Sequence, residues 1–527
     1  MTSAIDTDVL IVGAGPTGLM LANQLARRGI RSMIIDRHPG PARETRALGV
    51  QARTMEIYAH LGIIDAALSL GRKALAANFW AQGKHAARIP LGDIGREESP
   101  YPFLLILGQD DNERLLGDNL RMLGRDVEWS TELIGLAQDG DGATATLRRP
   151  DGTVRVVRAS WIGGCDGSRS AVRELTGIGF EGAPYEHVFF VADVEMTGAM
   201  TPDELAVYLW KEGFHLLFPM RGVDHWRIVG IVPAALRGRD DLAFDDVFPA
   251  VRQELGADLV LRTCSWFSTY RIHHRRATRF RDGRCFLMGD AAHIHSPVGA
   301  QGMNTGLQDA YNLAWKLALV ISGRASSALL DSYEAERIPV AERLLSTTDR
   351  GFSLIVSDTF VSGLLRTQVL PKIAAAAMHF EQVQRFAFMT ISQTGIEYRH
   401  GPLSRTLEGM PDAAPRAGDR FPWMRLRLGN GDDAGDLFAA IDDTRFTLLL
   451  FGQDVPASPL PGLGDLLRVI RVPADSANDR EAERLHIPRL SYYLLRPDGH
   501  IAVAGAGVAP SPSVILGAAK DLLHLRT

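Results

Sequence analysis

The stretch DVLIVGAGPTG, residues 8–18, decides the fold of this chain. Residues 8–12 have the apolar, β-branched character of a short buried strand, and they run directly into the motif Gly13-x-Gly15-x-x-Gly18. In such a motif the first glycine permits a tight turn, the second lets a diphosphate approach the backbone, and the third lets helix and strand pack closely. We therefore predict a strand, a glycine turn and a helix from Pro16, whose free N–H groups face a phosphate.

The residues after this motif complete a βαβ unit. Apolar residues at helical spacing continue to about Arg28, Gly29 ends the helix, and a second strand at 32–35 ends on Asp36. An acidic side chain at this distance from the third glycine accepts hydrogen bonds from ribose hydroxyls. A glycine motif alone could be a turn that binds nothing, but the strand before it and the acid after it favour dinucleotide binding.

Two later segments repeat the order of buried strand, Gly/Asp turn and helix. In the segment IGGCDGSRS, residues 162–170, Asp166 ends a strand, at the edge where open α/β sheets bind ligands. Arg169 and Arg173 are predicted to share a helix face, which either meets a diphosphate or faces solvent. The segment RCFLMGDAAHIHSPVGAQGMNTGLQDA, residues 284–310, predicts a strand to Met288, a turn at Gly289 and Asp290, and a helix that opens near Gly302.

Three polar residues lie between these motifs in positions that could meet a cofactor. Arg46 precedes a helix predicted from Ala52, and its guanidinium could approach phosphates or the face of a flavin. Arg53, in the first turn of that helix, is interpreted as a structural anchor. Gln109 follows a strand at 103–107 and either bonds a cofactor or caps the next helix.

Composition narrows the class of protein. The chain of 527 residues is 46% hydrophobic and 23% charged with a net charge of -5, which is typical of a globular protein of several domains and argues against nucleic acid as a partner. Cys165, Cys264 and Cys285 form no CxxC pair, so we interpret them as reduced thiols of a cytoplasmic protein. We expect no metal site, no signal peptide and no membrane span.

The three motifs, in this order and at these distances, resemble those of the single-component (class A) FAD-dependent aromatic hydroxylases, which have the para-hydroxybenzoate hydroxylase fold. The better match is the branch with a C-terminal thioredoxin-like domain, which includes phenol, pentachlorophenol and polyketide hydroxylases. The resemblance implies an α/β fold with a Rossmann-like FAD-binding domain, an inserted antiparallel β-sheet substrate domain and a C-terminal thioredoxin-like α/β domain.

The expected domain organisation follows the change of pattern along the chain. The predicted parts are a discontinuous FAD-binding domain at 1–180 and 276–350, a substrate-binding sheet domain at 181–275, a helical segment at 351–400 that forms a core or dimer face, a linker at 401–416, and a thioredoxin-like domain without CxxC at 417–527. We expect a monomer or a homodimer.

The resemblance also implies roles for individual residues. Non-covalent FAD would be held by residues of the three motifs and their neighbours, namely Gly13, Gly15, Pro16, Gly18, Asp36, Arg37, Arg46, Gln109, Asp166, Gly289, Asp290, Pro297, Gly299, Gly302, Met303 and Asn304. Among these, Asp290 would bind the ribityl or diphosphate region, and the backbone from Gly299 to Asn304 would line the flavin edge together with Pro297. NADPH or NADH would dock only transiently.

The implied reaction is hydroxylation of a phenolic or polycyclic aromatic ring by O2 through a flavin C4a-hydroperoxide, with an oxidase, dehydrogenase or other oxidative tailoring enzyme as the alternative and a non-catalytic flavin-binding protein as a weaker one. The predicted catalytic residues are Arg46 and Pro297 beside the flavin and, on the substrate side, Tyr208 and His215, since both lie on strands that could face the pocket. Other candidates in the inserted sheet are His225, Tyr270, His273 and His274. We expect His293 to be structural and His295 to lie nearer the ring.

Overall fold

The opening strand of the chain lies inside the first of the five sheets that the described residues form. The computed structural model describes residues 5–42, 47–81, 83–198, 200–210, 213–239, 241–256, 259–295, 300–356, 380–428, 433–453, 464–507 and 521–524. Across sheet 1 the strands follow the order Arg281–Asp282, Cys285–Leu287, Val154–Gly164, Thr7–Val12, Ser32–Ile35 and Val127–Glu128, and a hairpin of Glu132–Gln138 and Ala143–Arg148 extends Val154–Gly164. Strand Thr7–Val12 runs parallel to both of its neighbours, which confirms the predicted βαβ unit.

The helices of the described residues pack on the sheets and connect them. They are α1 (Pro16–Arg27), α2 (Ala52–Leu61), α3 (Ile64–Leu70), α4 (Leu91–Ile94), α5 (Gln109–Met122), α6 (Ala171–Leu175), α7 (Phe244–Leu255), α8 (Gly302–Ile321), α9 (Asp331–Val356), α10 (Glu381–Ile391), α11 (Leu437–Ala440) and α12 (Ser476–Arg484). Within the described ranges, none of them combines the length and the apolar character that a membrane crossing requires.

Sheet 2 is antiparallel at all but one of its strand pairs. Its order is His293–Ile294, Val260–Ala277, Phe180–Thr197, His225–Ile231, Gly213–Pro219, Glu204–Trp210, Ala76–Ala81 and Lys84–Ile89. The sheet therefore extends beyond the predicted interval 181–275, because a hairpin from residues 76–89 adds to its far edge and His293–Ile294 adds to the other. The α/β fold class is confirmed, while the division into domains stays a prediction.

Sheet 3 belongs to the C-terminal part of the chain. Its order is Arg405–Thr406, Ile501–Ala506, Ser491–Leu495, Phe446–Phe451 and Leu467–Val472. Residues Arg405 and Thr406 lie in the stretch predicted as a linker, yet they pair with Val503 and Ala504 as an edge strand. Two smaller sheets complete the fold, one of Gly49–Val50, Leu104–Ile106 and Arg72–Ala74 and one of Arg425–Leu426 and Gly435–Asp436.

A buried cluster of charges joins sheet 3 to α8 and α9. The Glu336 carboxylate of α9 accepts hydrogen bonds from Lys316 Nζ at 2.8 Å and from Arg496 Nη1 at 2.6 Å. Arg496 also forms an ion pair with Asp498, and all four side chains are almost fully buried. Burial alone would raise the pKa of Glu336, but Arg496 and Lys316 lower it to about 2. The carboxylate is therefore ionised and holds two cations at the interface.

A second charged contact crosses the same interface at α2. Arg53 donates to Glu56 at 2.9 Å and to the backbone oxygen of Asp498 at 2.6 Å, and Arg420 donates to Glu56 at 3.0 Å. The interpretation of Arg53 as a structural anchor is confirmed. Most of segment 351–400 lies in α9, in α10 or outside the described residues, so its predicted role as a dimer face stays a prediction.

Replacing Glu336 with glutamine should destabilise the protein strongly at neutral pH. The change removes the carboxylate that pairs with Lys316 and leaves Arg496 with Asp498 alone, and breaking a buried pair costs about 3–5 kcal/mol. The matched control is Glu342→Gln, also on α9, because Glu342 is exposed and pairs with Arg276 at 3.3 Å. Breaking such an exposed pair costs less than about 1 kcal/mol. Urea unfolding followed by tryptophan fluorescence measures both.

The pH dependence of the same measurement has a defined sign. The pKa of Glu336 is depressed from its ordinary value of 4.5 to about 2, so its stabilising contribution is present above pH 4.5 and is lost as the pH falls toward 2. The difference in free energy of unfolding between the wild type and Glu336→Gln should therefore decrease as the pH falls from 4.5 to 2. Equal losses for the Glu336 and Glu342 variants at neutral pH would contradict the account of the buried cluster.

Candidate functional site

The glycine motif packs tightly on two sides and is open on a third. A Cβ built on Gly13, whose φ is +101°, would lie 2.4 Å from the backbone oxygen of Cys165, and one on Gly18 would lie 1.9 Å from the oxygen of Gly13. A Cβ on Gly15 would meet only Glu113 Oε1, at 4.0 Å. Gly15 also caps α1, and Pro16 is the first residue of that helix. The open side at Gly15 therefore fits the approach of a diphosphate to free N–H groups.

Asp36 ends strand Ser32–Ile35 beside this motif. Its Oδ2 accepts the Ala14 N–H at 2.7 Å, and its Oδ1 accepts the backbone N–H of His38 at 2.8 Å. The carboxylate thus fixes the turn around Ala14 and keeps lone pairs at the edge of the loop, where ribose hydroxyls would be bound. The neighbouring Arg37 is exposed.

Glu113, which no sequence motif singles out, joins residue Ala42 to Gln109 beside this opening. Its Oε1 accepts from Gln109 Nε2 at 2.8 Å, and its Oε2 accepts the Ala42 N–H at 2.7 Å. Burial raises the pKa of Glu113. Because Gln109 is the first residue of α5 and gives its amide N–H to Glu113, its amide oxygen remains the group that a ligand hydroxyl can meet.

Asp166 follows strand Val154–Gly164, as predicted, but its carboxylate bonds to residues at the start of the next helix. It accepts from the Val172 N–H at 3.1 Å and from the Ser170 hydroxyl, so it holds the start of α6. Arg169 is exposed and precedes α6, whereas Arg173 is buried and donates to the backbone oxygen of Ala291 at 3.0 Å. The predicted basic helix face is therefore wrong, because one arginine lies before the helix and the other ties α6 to the Gly289 turn.

The Gly289 turn and the first turns of α8 both meet the glycine motif at Thr17. A Cβ on Gly289, whose φ is +58°, would lie 2.7 Å from Thr17 Oγ1, and one on Gly306 would lie 2.4 Å from it. Asn304 is buried, accepts the Gln51 N–H at 2.9 Å and donates to the Gly49 oxygen at 2.8 Å. The structure therefore brings the Gly289 turn, the start of α8 and residues 49–51 together beside α1.

The remaining predicted residues of segment 289–304 have varied surroundings. Asp290 is exposed, and Gly302 begins α8 as predicted, with Met303 half-buried behind it. His293 is buried and bonded to Asp309 through Nε2 at 2.7 Å, which confirms its structural role. Arg46, Pro297 and Gly299 lie outside the described residues, so their predicted roles stay predictions.

Sheet 2 has an apolar face that packs toward this site, and we call it the front face. Because neighbouring residues of a strand point to opposite faces, strand register assigns Phe189, Tyr270, Ile231 and Phe214 to the same face. Farther along that face, Leu205 and Phe218 pack with Leu48, Ala74, Leu104 and Ile106 from around the small sheet next to sheet 1. The front face therefore packs against Leu48, next to the residues 49–51 that bond to Asn304 in the segment 289–304, which we name the flavin loop after its predicted role.

Tyr208 and His215 pair across their strands and share the opposite face. Tyr208 packs in the cluster that contains Phe244, Val247 and Val251 of α7, and its ring stacks on Trp80 at 5.6 Å. His215 is buried against Trp210 and Phe190, and neither ring nitrogen has a hydrogen-bond partner among the described residues. Burial lowers the pKa of His215 to about 3, so the ring is neutral. This face does not favour the predicted catalytic roles, whereas Tyr270 is on the front face.

A cavity of about 410 Å³ opens between the front face and the start of α5. The residues that line it include Gly108, Asp110, Asp193, Arg221, Ser265 and Trp266. Asp193 forms two hydrogen bonds of 2.6 Å with Arg227, whose guanidinium also lies over the Trp266 ring at 5.2 Å. The cavity is thus bordered by aromatic and charged groups of sheet 2 on one side and by the helix that begins with Gln109 on the other.

The chain is similar to known FAD-binding proteins and monooxygenases. Residues 6–348 match the family described as FAD binding domain. The chain is 35% identical to the 6-methylpretetramide 4-monooxygenase of Streptomyces rimosus, over 98% of this chain and 93% of that protein. It is 33% identical to the pentachlorophenol 4-monooxygenase of Sphingobium chlorophenolicum, over 88% of this chain and 83% of that protein. A crystal structure of aklavinone-11 hydroxylase with FAD and aklavinone superposes with a TM-score of 0.80 at 25% identity, over 99% of this chain and 100% of that one.

Adding one methyl group at Gly15 should separate folding from FAD binding. The backbone of Gly15 has φ -71° and ψ -178°, which alanine adopts without strain, and the added Cβ enters the open side of the motif. We expect Gly15→Ala to keep the unfolding temperature of the apoprotein and to weaken FAD binding by about tenfold or more. Titration of the apoprotein with FAD, followed by flavin fluorescence, measures the affinity.

The matched control for that variant is Gly117→Ala in α5. A Cβ at Gly117 meets nothing within 4 Å, and alanine favours a helix interior by about 1 kcal/mol. This control should bind FAD as the wild type does. If Gly15→Ala and Gly117→Ala bind FAD equally well, the diphosphate is not held at the open side of the motif.

Proposed function

Because the chain belongs to the family of FAD-dependent aromatic hydroxylases, we propose that it uses NAD(P)H and dioxygen to hydroxylate a phenolic or polycyclic aromatic substrate. The observation that carries this proposal is the extent of the match. The family match over residues 6–348 contains the three motifs with their predicted FAD loops and every strand of sheet 2, so the proposed cofactor site and substrate sheet belong to one family unit. The 6-methylpretetramide and pentachlorophenol monooxygenases match 98% and 88% of this chain, which supports an aromatic substrate.

The residues of the first motif are suited to hold one end of FAD. The open side at Gly15 and the first turn of α1 present N–H groups to the diphosphate, and Asp36 accepts from the adenosine ribose. Glu113 orients Gln109 toward the same opening. We place Asp290 at the ribityl or diphosphate region because it is exposed beside the Gly289 turn.

The start of α8 is suited to the other end of the cofactor. The N–H groups of Gly302 and Met303 begin a long helix, and a helix N-terminus stabilises negative charge. When bound, FAD supplies the electron and oxygen chemistry, while the protein positions the groups and excludes water. The backbone of the predicted Gly299–Asn304 stretch and Pro297 would border the flavin, and Arg46 would contact the flavin part of FAD.

The front face of sheet 2 is suited to an aromatic ring. Phe189 lies 6.1 Å from Tyr270 and 6.3 Å from Phe214 between ring centroids, in one apolar cluster of this face in which both phenylalanines are buried and Tyr270 is half-buried. An aromatic cluster of this kind favours contact with a flat ring and keeps water from the reacting atoms. The Tyr270 hydroxyl is the polar group of this surface, and burial raises its pKa to about 12, so it is protonated and can donate a hydrogen bond to substrate.

The proposal is tested on the purified holoprotein with a panel of phenols and polycyclic phenols. We expect at least one compound to stimulate oxidation of NADH or NADPH, and its product to gain one oxygen atom. With ¹⁸O2 as the oxygen source, mass spectrometry should find the label in the product. Stimulated NAD(P)H oxidation without labelled product would instead indicate an oxidase or dehydrogenase.

Two tyrosines test which face of sheet 2 meets the substrate. Burial raises the pKa of both Tyr208 and Tyr270 to about 12, but they lie on opposite faces. Removing one hydrogen bond to substrate should lower kcat/KM by about 2- to 10-fold in Tyr270→Phe. In Tyr208→Phe, the decrease in log(kcat/KM) should be less than half of the decrease in Tyr270→Phe. A larger loss in Tyr208→Phe than in Tyr270→Phe would place the substrate on the α7 side of the sheet.

A further inference from the structure

Asp309 is a buried carboxylate in α8 that bonds to two residues of the flavin loop and to one residue of α9. Its Oδ2 accepts the Gly289 N–H at 3.0 Å and His293 Nε2 at 2.7 Å, and its Oδ1 accepts from Arg337 Nε at 2.6 Å. Burial opposes the charge of Asp309, but Arg337 and His293 hold the pKa of the carboxyl below its usual value. One ionised group therefore fixes the start of the loop at two points, Gly289 and His293.

Arg337 of α9 carries this contact away from the loop. Besides Asp309, its guanidinium donates to Tyr398 Oη at 2.8 Å and to the backbone oxygen of Thr305 at 3.2 Å. Both Arg337 and Asp309 have no exposed side-chain surface. The planar guanidinium thus fixes three acceptors relative to one another. They are Asp309 and Thr305 on adjacent turns of α8 and Tyr398, which follows α10.

Tyr398 connects that guanidinium to the part of the chain that contains sheet 3. Its backbone N–H donates to the Gly418 oxygen at 2.7 Å, and its ring lies 4.3 Å from the His500 ring between centroids. The Arg496 guanidinium, part of the charged interface, lies 5.2 Å from the centre of the Tyr398 ring. Continuous buried contacts therefore run from sheet 3 to the Gly289 turn.

We infer that Asp309, Arg337 and Tyr398 are positioning residues, through which the sheet 3 part of the chain holds the flavin loop in its binding arrangement. The inference rests on the FAD site proposed for that loop and adds a reason why FAD binding depends on residues far from it. Each of the three residues acts through another one, since Tyr398 orders Arg337, Arg337 orders Asp309, and Asp309 orders Gly289 and His293.

The Asp309–Arg337 ion pair also acts on the packing of the FAD site, through Gly289 and His293. Gly289 lies against Thr17 of the glycine motif, so a shift of its N–H would alter the packing of the two FAD loops. His293 pairs with Arg276 of sheet 2, so the same carboxylate holds the loop against the substrate sheet as well. Loosening Asp309 should change loop geometry before it unfolds the chain.

The test compares Tyr398→Phe with Tyr311→Phe in the full-length protein. Tyr311 is a matched control because it is a buried tyrosine on α8 whose hydroxyl crosses the same interface, donating to Asp443 at 3.1 Å or to the Pro497 oxygen at 3.2 Å. Within the described part of the chain, its hydroxyl bonds to none of Asp309, Arg337 and Tyr398. Both variants lose one buried hydroxyl, so we expect similar decreases in unfolding temperature.

The first readout is hydrogen–deuterium exchange of the apoprotein in the peptide that spans residues 288–294. Tyr398→Phe should exchange about tenfold faster there, the change that follows the loss of one hydrogen bond to a charged group. Tyr311→Phe should exchange at the wild-type rate. Equal exchange of this peptide in the two variants, or no change in Tyr398→Phe, would overturn the inference.

The second readout is FAD affinity, measured by titration of the apoprotein. Tyr398→Phe should raise the FAD Kd by about threefold or more and alter the visible circular dichroism of bound flavin, whereas Tyr311→Phe should change neither. Arg337→Lys, which keeps the charge but cannot reach all three acceptors, should exceed Tyr398→Phe in both readouts. A wild type that binds no FAD would refute the proposed function, while the exchange experiment would still decide the positioning role.

Discussion

The close approach of α1 and α8 at Thr17 is the constraint on which the site depends. A Cβ on Gly289 would lie 2.7 Å from Thr17 Oγ1, and a Cβ on Gly306 would lie 2.4 Å from the same atom. Only hydrogen at both positions lets the Gly289 turn and the first turns of α8 pack against the glycine motif. This contact brings two helix N-termini, separated widely in sequence, to the same edge of sheet 1, so an elongated cofactor with a diphosphate and a flavin can span them.

The second constraint is electrostatic, and it extends through the whole molecule. Charged groups at Asp309, Glu336 and Glu56 are buried, and each is paired with arginine or lysine from another helix or from the sheet 3 part of the chain. A buried ion pair adds little stability relative to an apolar core, but it costs much when one partner is removed. Such contacts fix orientation. Here they join the flavin loop, α9 and sheet 3 into one arrangement.

Local patterns predicted the elements that carry the chemistry. The strand Thr7–Val12, the helix from Pro16, the turn at Gly289 and the helix from Gly302 all follow from short-range signals of apolar runs, glycine and helix periodicity. Asp309 and Glu113 were missed because Arg337 and Ala42, which fix their carboxylates, lie 28 and 71 residues away along the chain. The signal for Asp309 was nevertheless present, since a carboxylate within the apolar run of a buried helix requires a partner.

The side chains of sheet 2 show a different limit. Strand positions were predicted well, but the face that each residue occupies depends on register and on which layer covers the sheet. Tyr208 and His215 lie under α7, while Tyr270, on a neighbouring part of the same sheet, lies on the front face. The predicted linker at 401–416 contributes an edge strand to sheet 3 because backbone pairing with Val503 and Ala504 needs only two extended residues there.

The most direct test of the account is a crystal structure of the full chain with FAD bound. The account predicts the diphosphate on the open side of Gly15, the adenosine ribose at Asp36, and the isoalloxazine between the start of α8 and the front face of sheet 2. Electron density for FAD that leaves Gly15 and the first turn of α8 without contact would contradict it.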